Sequence, residues 1–310
     1  MDKPGRRSSV TRSEQLSETE VRAILALAAA ADDTDGTYPI SEHVVLHVQR
    51  GGTDATHLLI PAPDGLAGYA YVDPRDPDGA SGELVVHPMR RRHGLGRALV
   101  TAALQVAAEH DPRGRLRVWA HGDHPSASAL ALSLGFARAR VLLQLRRSLH
   151  DPIPEPRLPD GVLLRAFRPD TDDETWLATN RRAFADHPEQ GRWTRQDLRA
   201  RMAEPWFDAA GFLLAVDAAT DRLLGFHWTK VHPGGQGRRP IGEVYVVGVD
   251  PQAHGRGLGK ALTVAGLHHL RRRGLDQVML YVDESNAPAV ALYRGLGFAR
   301  WSADVHYRHG

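Results

Sequence analysis

The chain has 310 residues, 42% of them hydrophobic, with 39 basic and 37 acidic side chains and no cysteine. That length and apolar content suit two ordinary cores; the near-balanced charge offers no general attraction to nucleic acid, and without cysteine there are no disulfides, thiolate metal sites or cysteine nucleophiles. No run of about 18 apolar residues is present and the first dozen residues are polar and basic, so a soluble, cytoplasmic monomer with no nucleic-acid or membrane partner is expected.

Ser17, with Glu20 three positions on and apolar residues at helical spacing behind it, predicts a capped helix over 17–31. His43 and His47 lie four apart on a second expected helix, but Val44 follows the first and no third ligand is evident; His121 and His124 flank a turn, and no metal site is expected. Apolar strands follow over 56–61, 66–72 and 82–87, then a helix over 94–110, a strand over 116–119, a helix over 126–134 and a closing strand. The segment Asp151-Pro-Ile-Pro-Glu-Pro-Arg-Leu-Pro-Asp-Gly161 carries four prolines in eleven residues, which removes backbone donors and favours an extended linker. Beyond it the order returns: a strand over 162–167, helices over 172–185 and 194–202, strands over 211–216, 222–231 and 242–249, a helix over 258–273, a strand over 277–282, a helix over 287–296 and a last strand over 300–307. An α/β fold with a mixed α+β sheet flanked by helices is expected twice, in domains 1–150 and 162–310 joined by a linker over 151–161.

The repeat is sharpest at two loops. Val86-His-Pro-Met-Arg-Arg-Arg-His-Gly-Leu-Gly-Arg-Ala-Leu99 and Val249-Asp-Pro-Gln-Ala-His-Gly-Arg-Gly-Leu-Gly-Lys-Ala-Leu262 each read as an apolar strand, a proline turn, a basic Gly-x-Gly loop and a helix. Backbone N–H groups unobstructed by side chains at a helix start make a cradle for an anion. A P-loop is ruled out because Ala261 follows Gly259-Lys260 where a hydroxyl is required, and a dinucleotide fingerprint because Leu262 stands at the third glycine position. What remains is Gln/Arg-x-x-Gly-x-Gly/Ala, met in full by Arg91, Gly94 and Gly96, and with His254 at its first position in the second half. A second matched pair, Leu134-Gly-Phe-Ala-Arg138 and Leu296-Gly-Phe-Ala-Arg300, follows each loop at almost the same offset.

On these motifs each half resembles a domain of the GCN5-related N-acetyltransferase (GNAT) superfamily. Glu83-Leu-Val-Val-His-Pro88, His187-Pro-Glu-Gln-Gly191, Leu224-Gly-Phe-His-Trp-Thr-Lys-Val-His-Pro233 and Gly242-Glu-Val-Tyr-Val246 are similar to the tandem mycothiol synthase family within it. The resemblance implies two tandem GNAT domains and transfer of acetyl from acetyl-CoA, as co-substrate and without a metal, to the cysteinyl amine of the small molecule Cys-GlcN-Ins, giving mycothiol and CoA. It also implies cofactor contacts from Val85, Val86, His87, Arg91, Arg92, His93, Gly94, Leu95 and Gly96 in the first half, and from Val247, Gly248, Val249, His254, Gly255, Arg256, Gly257, Leu258, Gly259, Lys260 and Asn286 in the second.

Amine acetylation needs a base for the amine, a donor to the developing oxyanion and an acid for the leaving thiolate. Glu243 sits on the strand before the second loop and is expected to be the base; otherwise it is a solvent-facing strand carboxylate. A backbone amide near Val249 is the expected oxyanion donor. Tyr293, three residues before Leu296-Gly-Phe298, matches the family's acid, the alternative being core packing. The matching positions in the first half are Ala131 and Ala80, so that half is expected to bind acetyl-CoA without turnover. Glu42, Glu189, Lys230 and Tyr281, with Glu243, match acceptor-binding positions of the family; for Glu189, Lys230 and Tyr281 a loop charge, a strand-end charge and a packed ring remain alternatives, and for Asn286 a helix N-cap. Acetylation of another small amine or a protein N-terminus, and a non-catalytic acyl-CoA sensor, are the competing functional readings.

Overall fold

The computed structural model describes residues 9–51, 54–76, 79–234 and 239–310, with the side chains of Pro188 and Glu189 outside the described atoms. In chain order the elements are β1 (Thr11–Ser13), α1 (Glu18–Asp35), α2 (Glu42–Arg50), β2 (Thr56–Ala62), β3 (Gly65–Asp73), β4 (Ala80–Val86), α3 (Leu95–His110), β5 (Leu116–Ala120), α4 (Pro125–Ser133) and β6 (Ala137–Ser148). They continue with β7 (Val162–Ala166), α5 (Asp173–Ala183), α6 (Pro188–Gly191), α7 (Arg195–Met202), β8 (Phe212–Asp217), β9 (Leu223–His232), β10 (Ile241–Val249), α8 (Leu258–Arg272), β11 (Gln277–Asp283), α9 (Ala287–Gly295) and β12 (Ala299–His309). The capping box is formed: Ser17 accepts from the Glu20 N–H and Glu20 from the Ser17 N–H, satisfying two donors at the start of α1.

Chain contacts divide the molecule into two compact units, one comprising the residues up to Leu142 with Ser302–Gly310, the other Leu143–Trp301. The division does not follow the proline-rich linker. The expected closing strands change places: Val305–His309 of β12 pair antiparallel with Leu116–Ala120 of β5, while the later part of β6 belongs to the second unit beside β11. The physical reason is burial, since Val305 and Tyr307 join Leu99, Leu116 and Phe136 in the first unit's core.

In the first unit β1, β2, β3 and β4 run antiparallel and β4 pairs with β5 in parallel. Every residue of Thr56–Ile60 is buried, because helices cover both faces: Leu59 packs with Ile24, Leu27 and Val44 of α1 and α2, and Leu58 and Ile60 with Leu99 and Ala103 of α3. The second unit repeats the plan with β7 to β10 antiparallel and β10 parallel to β11. Trp176 of α5 packs with Phe212, Phe226 and Trp228 on one face, and Leu258 and Leu262 of α8 pack with Ala215 and Leu224 on the other. Gly266 lets α8 approach the sheet, since a Cβ there would lie 2.0 Å from the buried His227 ring.

Candidate active site

Each parallel strand pair opens before the loop that carries the motif. β4 pairs with β5 from Ala80 to Glu83 only, and β10 with β11 from Gly242 to Val244 only, although β4 runs on to Val86 and β10 to Val249. Past those points Leu84–Val86 and Tyr245–Val249 carry no cross-strand partner on that side, so their backbone N–H and C=O groups face an opening. In β10 a bulge between Val244 and Val246 adds to the divergence.

The loops then turn into α3 and α8 through residues in the left-handed region. Gly94 and Gly257 have φ +80° and +78°, and a Cβ on either would meet nothing within 4 Å, which leaves the loop's ligand side open. Arg92 adopts φ 67° where Gly255 adopts 76° in the other half, so the two loops share one backbone path. The side chain at the Gln/Arg position has the same task in both. Arg91 Nε donates to the Val86 carbonyl at 3.2 Å and His254 Nε2 to the Val249 carbonyl at 3.1 Å, tying each loop back to the end of its strand. This accounts for histidine at that position: one ring N–H supplies the bond. The Arg91 guanidinium is further engaged by Asp35, at 2.8 and 2.6 Å, which holds the Asp35 carboxyl below the usual carboxylate range. His93 bonds the Arg91 carbonyl through Nδ1, and His87 and Asp250 cap the short turns after β4 and β10.

A cavity of about 690 Å³ lies at the first loop, lined by Val85, Val86, Arg91, Gly94 and Gly96 and also by Trp119 and Ala131. It marks the half in which alanines replace the expected acid and base, not the half that carries them. The cavity also borders a charged cluster that no local motif announces. His121 Nδ1 donates to Asp304 at 2.9 Å, its Nε2 lies 3.6 Å from Glu83, and Glu83 accepts the Ser41 N–H at 2.5 Å. Burial alone would lower the His121 imidazole, but its hydrogen bond to Asp304 and the nearby Glu83 carboxylate outweigh that and raise it to about 10. Asp304 therefore pins β12 to the first unit, and His121, weighed from sequence as a metal ligand, is part of an ion cluster.

In the second unit the structure brings Glu243, Lys230 and Tyr281 to one face. Glu243 lies opposite Lys230 on β9 and level with Met279 on β11, and Tyr281 is two residues beyond Met279. Glu243 is 6% exposed and hydrogen-bonded at 2.6 Å to Nε2 of His232, a residue sequence reasoning did not single out and the strand's period-two alternation could have offered. The Lys230 ammonium lies over Trp206 at 4.6 Å and Tyr245 at 5.1 Å. Tyr281 is 38% exposed and accepts a hydrogen bond from Gln144 at 2.7 Å. Tyr293 is buried on α9 with its ring edge-on to Phe298, and burial pushes its hydroxyl up to about 12, so it is protonated at neutral pH. Asn286 caps α9 by accepting the Ala289 N–H. Glu42 opens α2 in the first unit and is half-buried. The Glu189 side chain lies outside the described residues.

The acetyltransferase (GNAT) family model matches residues 24–136 and again 174–298, and each range contains one open strand pair and the loop that follows it. The chain belongs to the GNAT acetyltransferase family. Within it, the chain is 63% identical over 302 residues to a mycothiol acetyltransferase of Salinispora arenicola, covering 96% of each chain, and 59% identical over 304 residues to one of Salinispora tropica, covering 97% of each. It is thus a member of the mycothiol acetyltransferases and an acetyltransferase enzyme. Its fold matches a solved tandem GNAT protein from the clavulanic acid biosynthesis pathway with a TM-score of 0.74 at 22% identity, over 97% of this chain and 98% of that one.

Proposed function

We propose that the second unit transfers acetyl from acetyl-CoA to the cysteinyl amine of Cys-GlcN-Ins, giving mycothiol and CoA, with Glu243 as base and Tyr293 as acid. The observation that carries this reading is the placement of Glu243. His232 of β9 holds it on β10, which leaves its parallel partner β11 and then runs into the Gly257 cradle. The names of the full-length relatives support the choice of acceptor.

The residues fit the co-substrate: the open side of the Gly257 loop and the N–H groups at the start of α8 suit a diphosphate, and the stretch Val247–Val249, paired with β9 but open on its β11 side, offers a main-chain donor to a thioester. Glu243 takes a proton from the acceptor's ammonium, so that the nitrogen lone pair forms the new C–N bond at the thioester carbonyl. A backbone N–H near Val249 donates to the oxygen as it gains charge. The C–S bond then breaks, the Tyr293 hydroxyl gives its proton to the departing thiolate, and the second proton of the attacking nitrogen, released as the amide forms, restores that hydroxyl; its raised pKa keeps the proton available at neutral pH. Lys230 and Tyr281 position the acceptor on the same face as Glu243.

The first unit is assigned binding of the same co-substrate without turnover, supported by its cavity and by Ala80 and Ala131 at the positions of base and acid. A cytoplasmic monomer acting on a small molecule completes the proposal; among the described residues no helix is long and apolar enough to cross a membrane. Mass spectrometry after incubation with acetyl-CoA and Cys-GlcN-Ins is the test. A product heavier by one acetyl group on the cysteinyl nitrogen supports the reading, and an unmodified acceptor beside an acetylated alternative amine overturns it.

A further inference from the structure

The face that carries Glu243 and Tyr281 continues across two more strands. On β6, Gln144 donates to the Tyr281 hydroxyl and accepts from Arg146 Nε at 3.0 Å, and the Arg146 guanidinium in turn lies 4.3 Å from the centre of the Trp301 ring at the start of β12. All four side chains belong to the second unit. Gln144 is 5% exposed although it is polar, because its amide is used twice; Trp301 is 62% exposed although it is the largest apolar side chain available. The indole thus presents apolar area to solvent beside a guanidinium, an amide and a phenol.

We propose that Trp301, Arg146 and Gln144 form a subsite for a neutral polyhydroxylated ring, the sugar or inositol end of the acceptor. A saturated hydroxylated ring has a face of C–H groups, which suits an aromatic surface, and an edge of hydroxyls, which suits the amide, guanidinium and phenol beside it. The spacing agrees. From β10 through β11 and β6 to β12 is three strand steps, about 14 Å across the sheet at ~4.8 Å each, a span on the scale of a cysteinyl amine joined to two rings. The subsite rests on the proposed acceptor for its role in catalysis, but its ligand class follows from the side chains themselves. It assigns to the β6 strand, which the chain order places in the first half, a share in substrate choice by the second unit.

The test uses the full chain and two measurements. Calorimetric titration with N-acetylglucosaminyl-inositol, which keeps the rings and an amide but has no cysteinyl amine, reads the subsite without turnover. Steady-state rates with Cys-GlcN-Ins and with L-cysteinamide read its contribution to the reaction. Wild type is expected to bind the ring probe, and Trp301→Ala to weaken that binding and raise KM for Cys-GlcN-Ins about tenfold, the effect of ~1.4 kcal/mol, with kcat and the cysteinamide KM unchanged. Arg146→Ala is expected to move the same two quantities less, and Trp301→Phe to restore most of the loss. If wild type turns over Cys-GlcN-Ins but Trp301→Ala changes neither ring binding nor KM, the subsite is refuted and the proposed function stands. If the ring probe binds through Trp301 while Cys-GlcN-Ins is not acetylated, the subsite stands and the proposed function falls.

Discussion

Replacing Asp304 by Asn isolates one charge in the contact that fastens the last strand to the first unit. The substitution keeps the side chain's size and an acceptor for the Gly122 N–H, but it takes from His121 the partner at 2.9 Å and leaves only Glu83 at 3.6 Å. Removing one member of a buried ion pair costs about 3 kcal/mol, and for a chain of this size that corresponds to a melting temperature lower by roughly 6–12 °C. The pH dependence gives the prediction its sign. His121 is raised from 6.5 to about 10 in the folded state, so its stabilisation is complete below pH 6.5 and is lost as the pH rises towards 10. Scanning calorimetry of wild type and Asp304→Asn at pH 6.5 and at pH 10 should therefore show a wide gap that narrows at the higher pH. Equal melting temperatures at pH 6.5, or a gap that stays the same at pH 10, would refute the reasoning.

Substitutions at three further positions probe the loop and the acid. Tyr293→Phe should lower kcat about 100-fold with acetyl-CoA binding intact, and the deficit should shrink with acetyl thioesters of more acidic thiols, whose leaving group needs less protonation; stopped assays across a thiol series check this. Gly257→Ala meets no neighbour within 4 Å but sits at φ +78°, which costs about 1–2 kcal/mol of backbone strain, so calorimetric affinity for acetyl-CoA should fall together with a modest loss in melting temperature. His254→Gln keeps a donor for the Val249 carbonyl and should bind acetyl-CoA within about twofold of wild type, whereas His254→Leu loses that bond, worth ~1 kcal/mol, and should bind about fivefold more weakly.

The elements that carry the loops were legible in the sequence because they depend on local signals: a capping pair at Ser17 and Glu20, alternation in β4 and β10, and glycines at 94 and 257 where a positive φ is required. The exchange of closing strands was not. Alternation identifies β6 and β12 as strands, but hydrogen bonds to a neighbour leave no mark on either sequence, and only the burial of Val305 and Tyr307 against Leu116 selects the pairing. The site divides in the same way. Glu243, Lys230 and Tyr281 could be named from motif positions, whereas the support from His232, Gln144 and Arg146 depends on cross-strand register. The His121–Asp304 contact joins residues 183 positions apart, beyond the reach of any spacing argument.

The claim on which the account turns is that proton removal from the acceptor happens at Glu243 in the second unit. Measurement of kcat for Glu243→Gln at saturating acetyl-CoA and acceptor tests it most directly, with calorimetry to establish that acetyl-CoA still binds. The expected result is a fall of at least about 100-fold with unchanged acetyl-CoA affinity. Turnover within twofold of wild type would contradict it.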